Sequence, residues 1–207
     1  MKKLHVIAVM ILLLGLSSCL STVHPIFTEK DLVFDQKLIG NWKEKKDSLN
    51  GSVEITLATN KDLDEIPQLR KFAGKTYMIR VLSTSGEIES AYFGFMLKLG
   101  KNYYFDYFPA ETPTLKTYDD FYKSHFVKLH TSYRIQITSP RSFQMQQLDE
   151  NYLQNLIREK KIRIRHETRE NGNFVVTAST EELQQYLLKY GDFPEAYKES
   201  SIYIKSN

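Results

Sequence analysis

The chain has 207 residues, a formal net charge of +3 and a single cysteine, and 42% of its residues are hydrophobic. This length suits one domain, and a lone cysteine excludes an internal disulfide and a zinc site built from several cysteines. Two of the three net positive charges come from Lys2 and Lys3. The rest of the chain is nearly neutral, so bulk charge does not predict nucleic-acid binding, which needs a clustered basic face.

The first residues predict a secretory signal peptide over residues 1–18. Lys2 and Lys3 form a basic start, and residues 6–16 follow without a polar side chain. At ~1.5 Å per residue this apolar run is about 16 Å long, too short to cross a hydrocarbon core of ~30 Å. A basic start, a short apolar run and small residues after it are typical of a cleaved signal.

Leu16-Ser17-Ser18-Cys19 resembles the lipobox of bacterial lipoproteins. The resemblance implies a diacylglyceryl group on the Cys19 sulfur, cleavage before Cys19 and acylation of the new N-terminus. A thiolate is the nucleophile that such an alkylation needs, and two or more acyl chains anchor a protein stably. The alternative is an ordinary cleaved signal in which the cysteine is incidental.

The lipoprotein resemblance also predicts where the protein lies in the cell. Leu20 follows the cysteine, and in this family an aspartate there would favour retention in the inner membrane. We therefore expect the outer membrane, with the periplasmic face as the default. Residues 19–28 are predicted to form a lipidated tether, and residues 29–207 a single β-rich domain that is a monomer.

Alternating apolar residues with turn signals between them predict eight or more β-strands, the pattern of an antiparallel barrel or sandwich. Asn50-Gly51 stands before the first run and is a strong hairpin signal. The predicted strands lie in residues 52–59, 75–83, 89–100, 101–109, 125–139, 142–148, 161–167 and 173–179.

Two short amphipathic helices are predicted in the C-terminal half. Asp149 is a suitable N-cap for the first, which follows it directly. Ser179 and Glu182 have the spacing of a capping box at the start of the second. Gly191 is placed to end that helix at its C′ position.

Gly40-Asn41-Trp42 follows a short apolar lead and is similar to the G-x-W signature with which the first strand of lipocalin-type barrels begins. The resemblance implies that Trp42 closes one end of the barrel, against a basic residue from a late strand, and that the interior can hold an apolar ligand. The two late helices depart from the usual plan of that family. The predicted fold is mainly β, a lipocalin-like antiparallel barrel or a sandwich of about 8–10 strands with two short helices.

Large side chains on one face of three strands predict a binding interior. Tyrosines are costly to bury unless their hydroxyls find partners, so an interior lined by several of them predicts water or an amphipathic ligand inside. Asp106 lies on the opposite face of its strand. It is either solvated or buried among tyrosine hydroxyls, and burial would raise its pKa. The predicted ligand-binding residues are Tyr77, Tyr103, Tyr107 and Tyr133.

No sequence pattern indicates an enzyme. The H-E-x-x-H, G-x-S-x-G, P-loop and GxGxxG motifs are all absent. His125 and His130 are five residues apart, so a continuous strand would point them to opposite faces and spoil a metal site. We therefore predict no catalytic residue, no metal site and no cofactor.

Three functions remain for the anchored domain. The first is a membrane-anchored envelope lipoprotein whose barrel binds a small apolar or amphipathic ligand. The second is an accessory lipoprotein that binds another protein of an envelope complex. The third is a hydrolase whose site forms only in the fold, and a cleft with a paired histidine and carboxylate would favour it. A cavity above roughly 300 Å³ inside the barrel would favour the first.

Overall fold

The computed structural model describes residues 20–46, 51–64, 66–112, 117–168 and 174–206. The predicted signal peptide, Cys19 and Asn50 lie outside the described residues. Within these ranges the chain forms eleven strands and four short α-helices. The strands are β1 (Ser21–Thr22), β2 (Gly40–Glu44), β3 (Ser52–Leu57), β4 (Thr76–Leu82), β5 (Ile88–Leu99), β6 (Asn102–Pro109), β7 (His130–Ser139), β8 (Ser142–Leu148), β9 (His166–Thr168), β10 (Phe174–Val176) and β11 (Tyr197–Lys205).

The helices are short and lie between the strands. They are α1 (Asn60–Leu63), α2 (Asp120–Lys123), α3 (Glu150–Arg158) and α4 (Thr180–Tyr190). Short 3₁₀ segments connect some of the remaining elements, at Glu29–Asp31, Gln36–Leu38, Pro67–Lys75 and Pro194–Ala196.

Eight of the strands form a closed antiparallel barrel. Each strand from β2 to β7 pairs with the next one along the chain. β11 then pairs with β8 on one side and with β2 on the other, where Lys205 lies opposite Trp42. The prediction of a mainly β, lipocalin-like barrel is confirmed, and the sandwich alternative is excluded because the sheet closes on itself. The short strands β1, β10 and β9 extend from β7.

Strands β4 to β6 are covered on both faces. Alternation along each strand sends one set of side chains into the barrel and the other set outward. Tyr77 and Phe105 are buried inside, whereas Met78, Phe95 and Tyr104 belong to a separate buried cluster on the outside. The N-terminal segment (residues 20–32) and helices α3 and α4 contribute the other side of that outer cluster. This second layer explains why both faces of β6 are aromatic.

Residues 20–28, predicted to be a tether, are packed against the barrel. Leu20, Ile26 and Phe27 are all buried. The Ile26 N–H donates a hydrogen bond to Asp106 Oδ2 at 3.1 Å. Asp106 is fully buried in this outer layer, so it is neither solvated nor among the tyrosines inside the barrel. The chain therefore enters the folded unit by Leu20.

The two predicted helices form with the predicted caps. Asp149 accepts a hydrogen bond from the Asn151 N–H at 2.9 Å, and Ser179 and Glu182 make the expected capping box. Gly191 ends α4, but its φ of −69° is right-handed rather than left-handed. Glycine is needed here for space, because a Cβ would collide with the Tyr104 hydroxyl.

The last two predicted strand regions are shorter than expected. Residues 161–165 are not in a strand, and only His166–Thr168 pairs with β10. Strand β11, which closes the barrel, is not among the predicted strands. Its inward positions include Ser201, a small polar residue that gives no strong apolar alternation.

Trp42 is held at the closing seam of the barrel from three sides. Its Nε1–H donates to the Leu38 carbonyl oxygen at 2.8 Å, and its ring meets the Phe143 ring edge-on at 4.6 Å between centroids. Lys205 Nζ lies 5.2 Å from the Trp42 ring centroid. Gly40 has a φ of +140°, and Lys205 crosses where a Cβ would stand. A basic side chain from the last strand therefore covers the Trp42 ring.

We expect Trp42→Ala to lower the free energy of unfolding by ~3–5 kcal/mol, because truncating a buried large aromatic leaves a cavity at the seam. That is a large share of the ~5–15 kcal/mol that stabilises a typical domain. Urea unfolding of the wild-type and variant proteins measures it. Phe121→Ala is the matched control, since Phe121 is 77% exposed and its loss should change little. Equal effects of the two substitutions would contradict this role of Trp42.

Candidate functional site: the barrel cavity

The barrel interior is only partly filled by its own side chains. A cavity of about 380 Å³ lies between the inward faces of its strands. That volume is within the usual range for a small-molecule site. The lining residues are Val53, Ile55, Ile79, Val81, Tyr92, Tyr107, Pro109, Leu129, Thr131, Tyr133, Phe143, Met145, Gln147, Ser201 and Tyr203.

The cavity wall is apolar with neutral polar groups. Among its described lining residues there is no Asp, Glu, Lys, Arg or His. Burial raises the pKa of Tyr107 well above its usual value, and the neighbouring Tyr203, Tyr133 and Tyr92 add to this. Burial also raises the pKa of Tyr203 to about 12. These phenols therefore stay uncharged at neutral pH, and the wall offers dipoles rather than charges.

Four tyrosines form one cluster around this cavity. The Tyr107 ring lies 5.7 Å from the Tyr92 ring and 5.3 Å from the Tyr133 ring, both edge-on. The Tyr107 hydroxyl lies 3.4 Å from Met145 Sδ, a weak acceptor. Tyr203 stacks on Phe143 at 4.9 Å. The cluster combines large apolar ring surfaces with neutral hydroxyl groups.

Gln147 carries the clearest unmet hydrogen bond in the wall. Its Nε2 atom is buried and has no hydrogen-bond partner among the residues that the structure describes. Leaving a buried donor unpaired costs about 1–3 kcal/mol. Nε2 is enclosed in this structure, so a ligand acceptor in the cavity reaches it when the Gln147 side chain turns toward the cavity, and that hydrogen bond would remove the cost.

The structure separates the four predicted tyrosines. Tyr107 and Tyr133 line the cavity together. Tyr77 is fully buried and does not line the cavity. It packs against Phe34, and its hydroxyl accepts from the Asp35 N–H at 2.7 Å. Tyr103 lies in a groove outside the cavity. That any of them binds a ligand stays a prediction.

Three residues that line the cavity were not among the predicted binding residues: Tyr92, Gln147 and Tyr203. Gln147 continues the alternation of Phe143 and Met145 along β8, so its inward direction was readable from the sequence. That its amide lacks a partner depends on the other strands. Tyr203 was missed because β11 was not predicted.

A larger groove of about 710 Å³ lies beside the 33–37 segment and strands β6 and β7. Its walls include the charged residues Asp35, Lys37, Lys101 and Arg134. The Arg134 guanidinium is already engaged, with Nε donating to Gln146 Oε1 at 3.0 Å and the group stacked on Tyr197 at 3.9 Å. The smaller cavity is the better candidate because it lies inside the barrel and more of its wall is apolar.

Comparison with protein-family models, with curated proteins and with solved structures finds no match for this chain. The described residues hold no group of three or more His, Cys, Asp or Glu side chains placed to bind a metal ion. No helix in the described ranges is long and apolar enough to cross a membrane. The evidence for a function of this chain therefore lies in the chemistry of its barrel.

Proposed function

We propose that this chain is a lipid-anchored protein of the bacterial envelope whose barrel binds a small, uncharged, amphipathic ligand without catalysis. The observation that carries the proposal is the cavity of about 380 Å³ with an unpaired Gln147 amide in an otherwise apolar and tyrosine-rich wall. Small barrels of this strand number can hold one such ligand.

The wall chemistry supports an uncharged ligand. An ionised group moved into a water-poor site loses its hydration and needs an opposite charge or several hydrogen bonds in return. The cavity wall provides phenol and amide dipoles but no ionic side chain among its described residues. A carbonyl or ether oxygen facing Gln147, with a ring or short chain against Tyr107 and Phe143, fits this wall.

The packing of Leu20 supports a short anchor. Leu20 is buried, and β1 begins at the next residue. A lipid on Cys19 would then hold the barrel close to the bilayer, with no flexible spacer between them. We propose that this protein takes its ligand from, or carries it near, the membrane to which it is attached.

A second candidate function is binding of another envelope protein. The segment after β6 exposes Phe121, Phe126 and Val127, which are large and apolar. Exposed apolar side chains close together in sequence are typical of interaction surfaces. This function does not exclude the first, because Phe121, Phe126 and Val127 are not among the residues that line the cavity.

Filling the cavity should abolish binding of a neutral probe. Prodan is uncharged and carries one carbonyl acceptor. Ser201→Trp puts an indole into the cavity and should weaken prodan binding at least ~10-fold, about 1.4 kcal/mol. Ile202→Trp is the matched control, since Ile202 is the next residue on the same strand and is exposed. Prodan fluorescence and calorimetry measure the affinity, and apolar burial predicts a negative heat-capacity change.

Equal prodan affinities for Ser201→Trp and Ile202→Trp would contradict binding inside the barrel. Failure of wild-type protein to bind prodan or any other neutral probe would do the same for the ligand-binding function. Tight capture of a protein through the segment that holds Phe121 would then favour the second function.

Cys19→Ser should remove the acylation site and leave the protein unanchored or as an uncleaved precursor. The thiolate is the nucleophile for lipid transfer, and a serine hydroxyl does not replace it. Intact mass and membrane fractionation of the two proteins check this. Wild-type protein that is soluble and carries no added acyl mass would contradict the anchor.

A further inference from the structure

A second pocket, outside the barrel, has a histidine in its wall. It has a volume of about 420 Å³ and lies between residues 25–29, residues 66–72 and the outer faces of β6 and β7. His130, the first residue of β7, is 7% exposed and lines it. This pocket shares no lining residue with the barrel cavity.

A buried carboxylate fixes the His130 ring. Asp106 Oδ1 lies 2.6 Å from His130 Nδ1, and Asp106 itself is 0% exposed. An ionised carboxylate can only accept, so Nδ1 carries the proton in this pair. The other oxygen, Oδ2, accepts from the Ile26 N–H at 3.1 Å and from Ser132 Oγ at 3.4 Å. The aspartate therefore has little freedom to move, and the ring is held in one tautomer and one direction.

The second ring nitrogen of His130 is open. Nε2 has no hydrogen-bond partner among the described residues, and it is not one of the fully enclosed polar atoms. With the proton on Nδ1, Nε2 of the neutral ring presents a lone pair. The hydrogen bond to Asp106 uses only Nδ1, so it does not account for the position of the ring in the wall of a pocket.

The pocket walls are aromatic around this acceptor. Phe27 meets Phe72 edge-on at 5.7 Å, and Phe108 lies 4.6 Å from the His130 ring. Ile66 and Leu69 add aliphatic surface. Glu29 and Lys71, which are charged, also line the pocket. A molecule with an apolar body and one hydrogen-bond donor complements this arrangement.

The surrounding hydroxyls argue for binding rather than acyl transfer. Ser132 Oγ donates to Asp106 and not to His130, and Thr28 Oγ1 donates to Asp31 Oδ2 at 2.6 Å. A nucleophilic serine or threonine would have to donate to the histidine. The His130–Asp106 pair is therefore an oriented acceptor without a partner nucleophile among these residues.

We propose that this outer pocket is a second binding site, for an apolar molecule that bears a hydroxyl group, such as a phenol or a long-chain alcohol. The hydroxyl donates to His130 Nε2, and the apolar body packs against Phe27, Phe72 and Phe108. Asp106 acts through His130 as a positioning residue. The site does not depend on the ligand-binding role of the barrel cavity.

Fluorine NMR with 4-fluorophenol and fluorobenzene tests the site on the mature chain. The two probes differ by the hydroxyl, and 4-fluorophenol should bind at least ~10-fold more tightly. His130→Asn keeps an amide donor for Asp106 but removes Nε2, so the preference should fall below ~3-fold. Ser201→Trp, which fills the barrel cavity, should leave the preference unchanged.

A nitrogen-15 readout on the wild-type protein keeps the test independent of how the variants fold. Adding 4-fluorophenol should move the Nε2 resonance of His130 and leave that of His166 unchanged. Equal affinity for the two probes, an unmoved His130 Nε2 resonance, or loss of the preference in Ser201→Trp would each overturn the proposal. The last result would assign the phenol to the barrel cavity instead.

Discussion

The pairing of β11 with β2 is the constraint on which the rest of the structure depends. It closes the eight-strand sheet formed by β2 to β8 and β11 into a barrel, and it removes the two edges of that sheet, which would otherwise be open to pairing with other chains. Trp42 and Lys205 meet at this seam, one from each strand. Closure also gives every barrel strand one face toward the interior and one face toward the outside. The side chains on these two faces therefore lie in different surroundings.

The inner and outer faces of the barrel strands are packed in different ways. Outside, the N-terminal segment and helices α3 and α4 cover β4 to β6 with an apolar layer, and buried Asp106 ties that segment down through the Ile26 N–H. Inside, bulky tyrosines fill the barrel incompletely and leave neutral polar groups around a cavity. A close-packed protein interior has few voids larger than a water molecule. A cavity of this size is therefore a feature to be explained by what occupies it.

Local pattern was enough to predict most of the barrel. The alternation of β3 to β8 and the caps at Asp149 and Ser179 depend on neighbours in sequence, and they formed where predicted, except that β7 begins at His130 rather than at residue 125. The failures depend on distant neighbours. Asp106 is buried because Ile26, 80 residues away, and His130, 24 residues away, complete its hydrogen bonds. Strand β11 has its place through pairing with β8 and β2 rather than through its own pattern, and whether Gln147 Nε2 has a partner depends on residues of other strands.

The central claim is that the barrel holds an uncharged amphipathic molecule against Gln147. A crystal structure of the mature domain soaked with prodan tests this most directly. The account predicts electron density for one prodan molecule inside the barrel, with its carbonyl oxygen within hydrogen-bond distance of Gln147 Nε2 and its rings beside Tyr107 and Phe143. An interior closed by its own side chains, or prodan bound only on the outer surface, would contradict it.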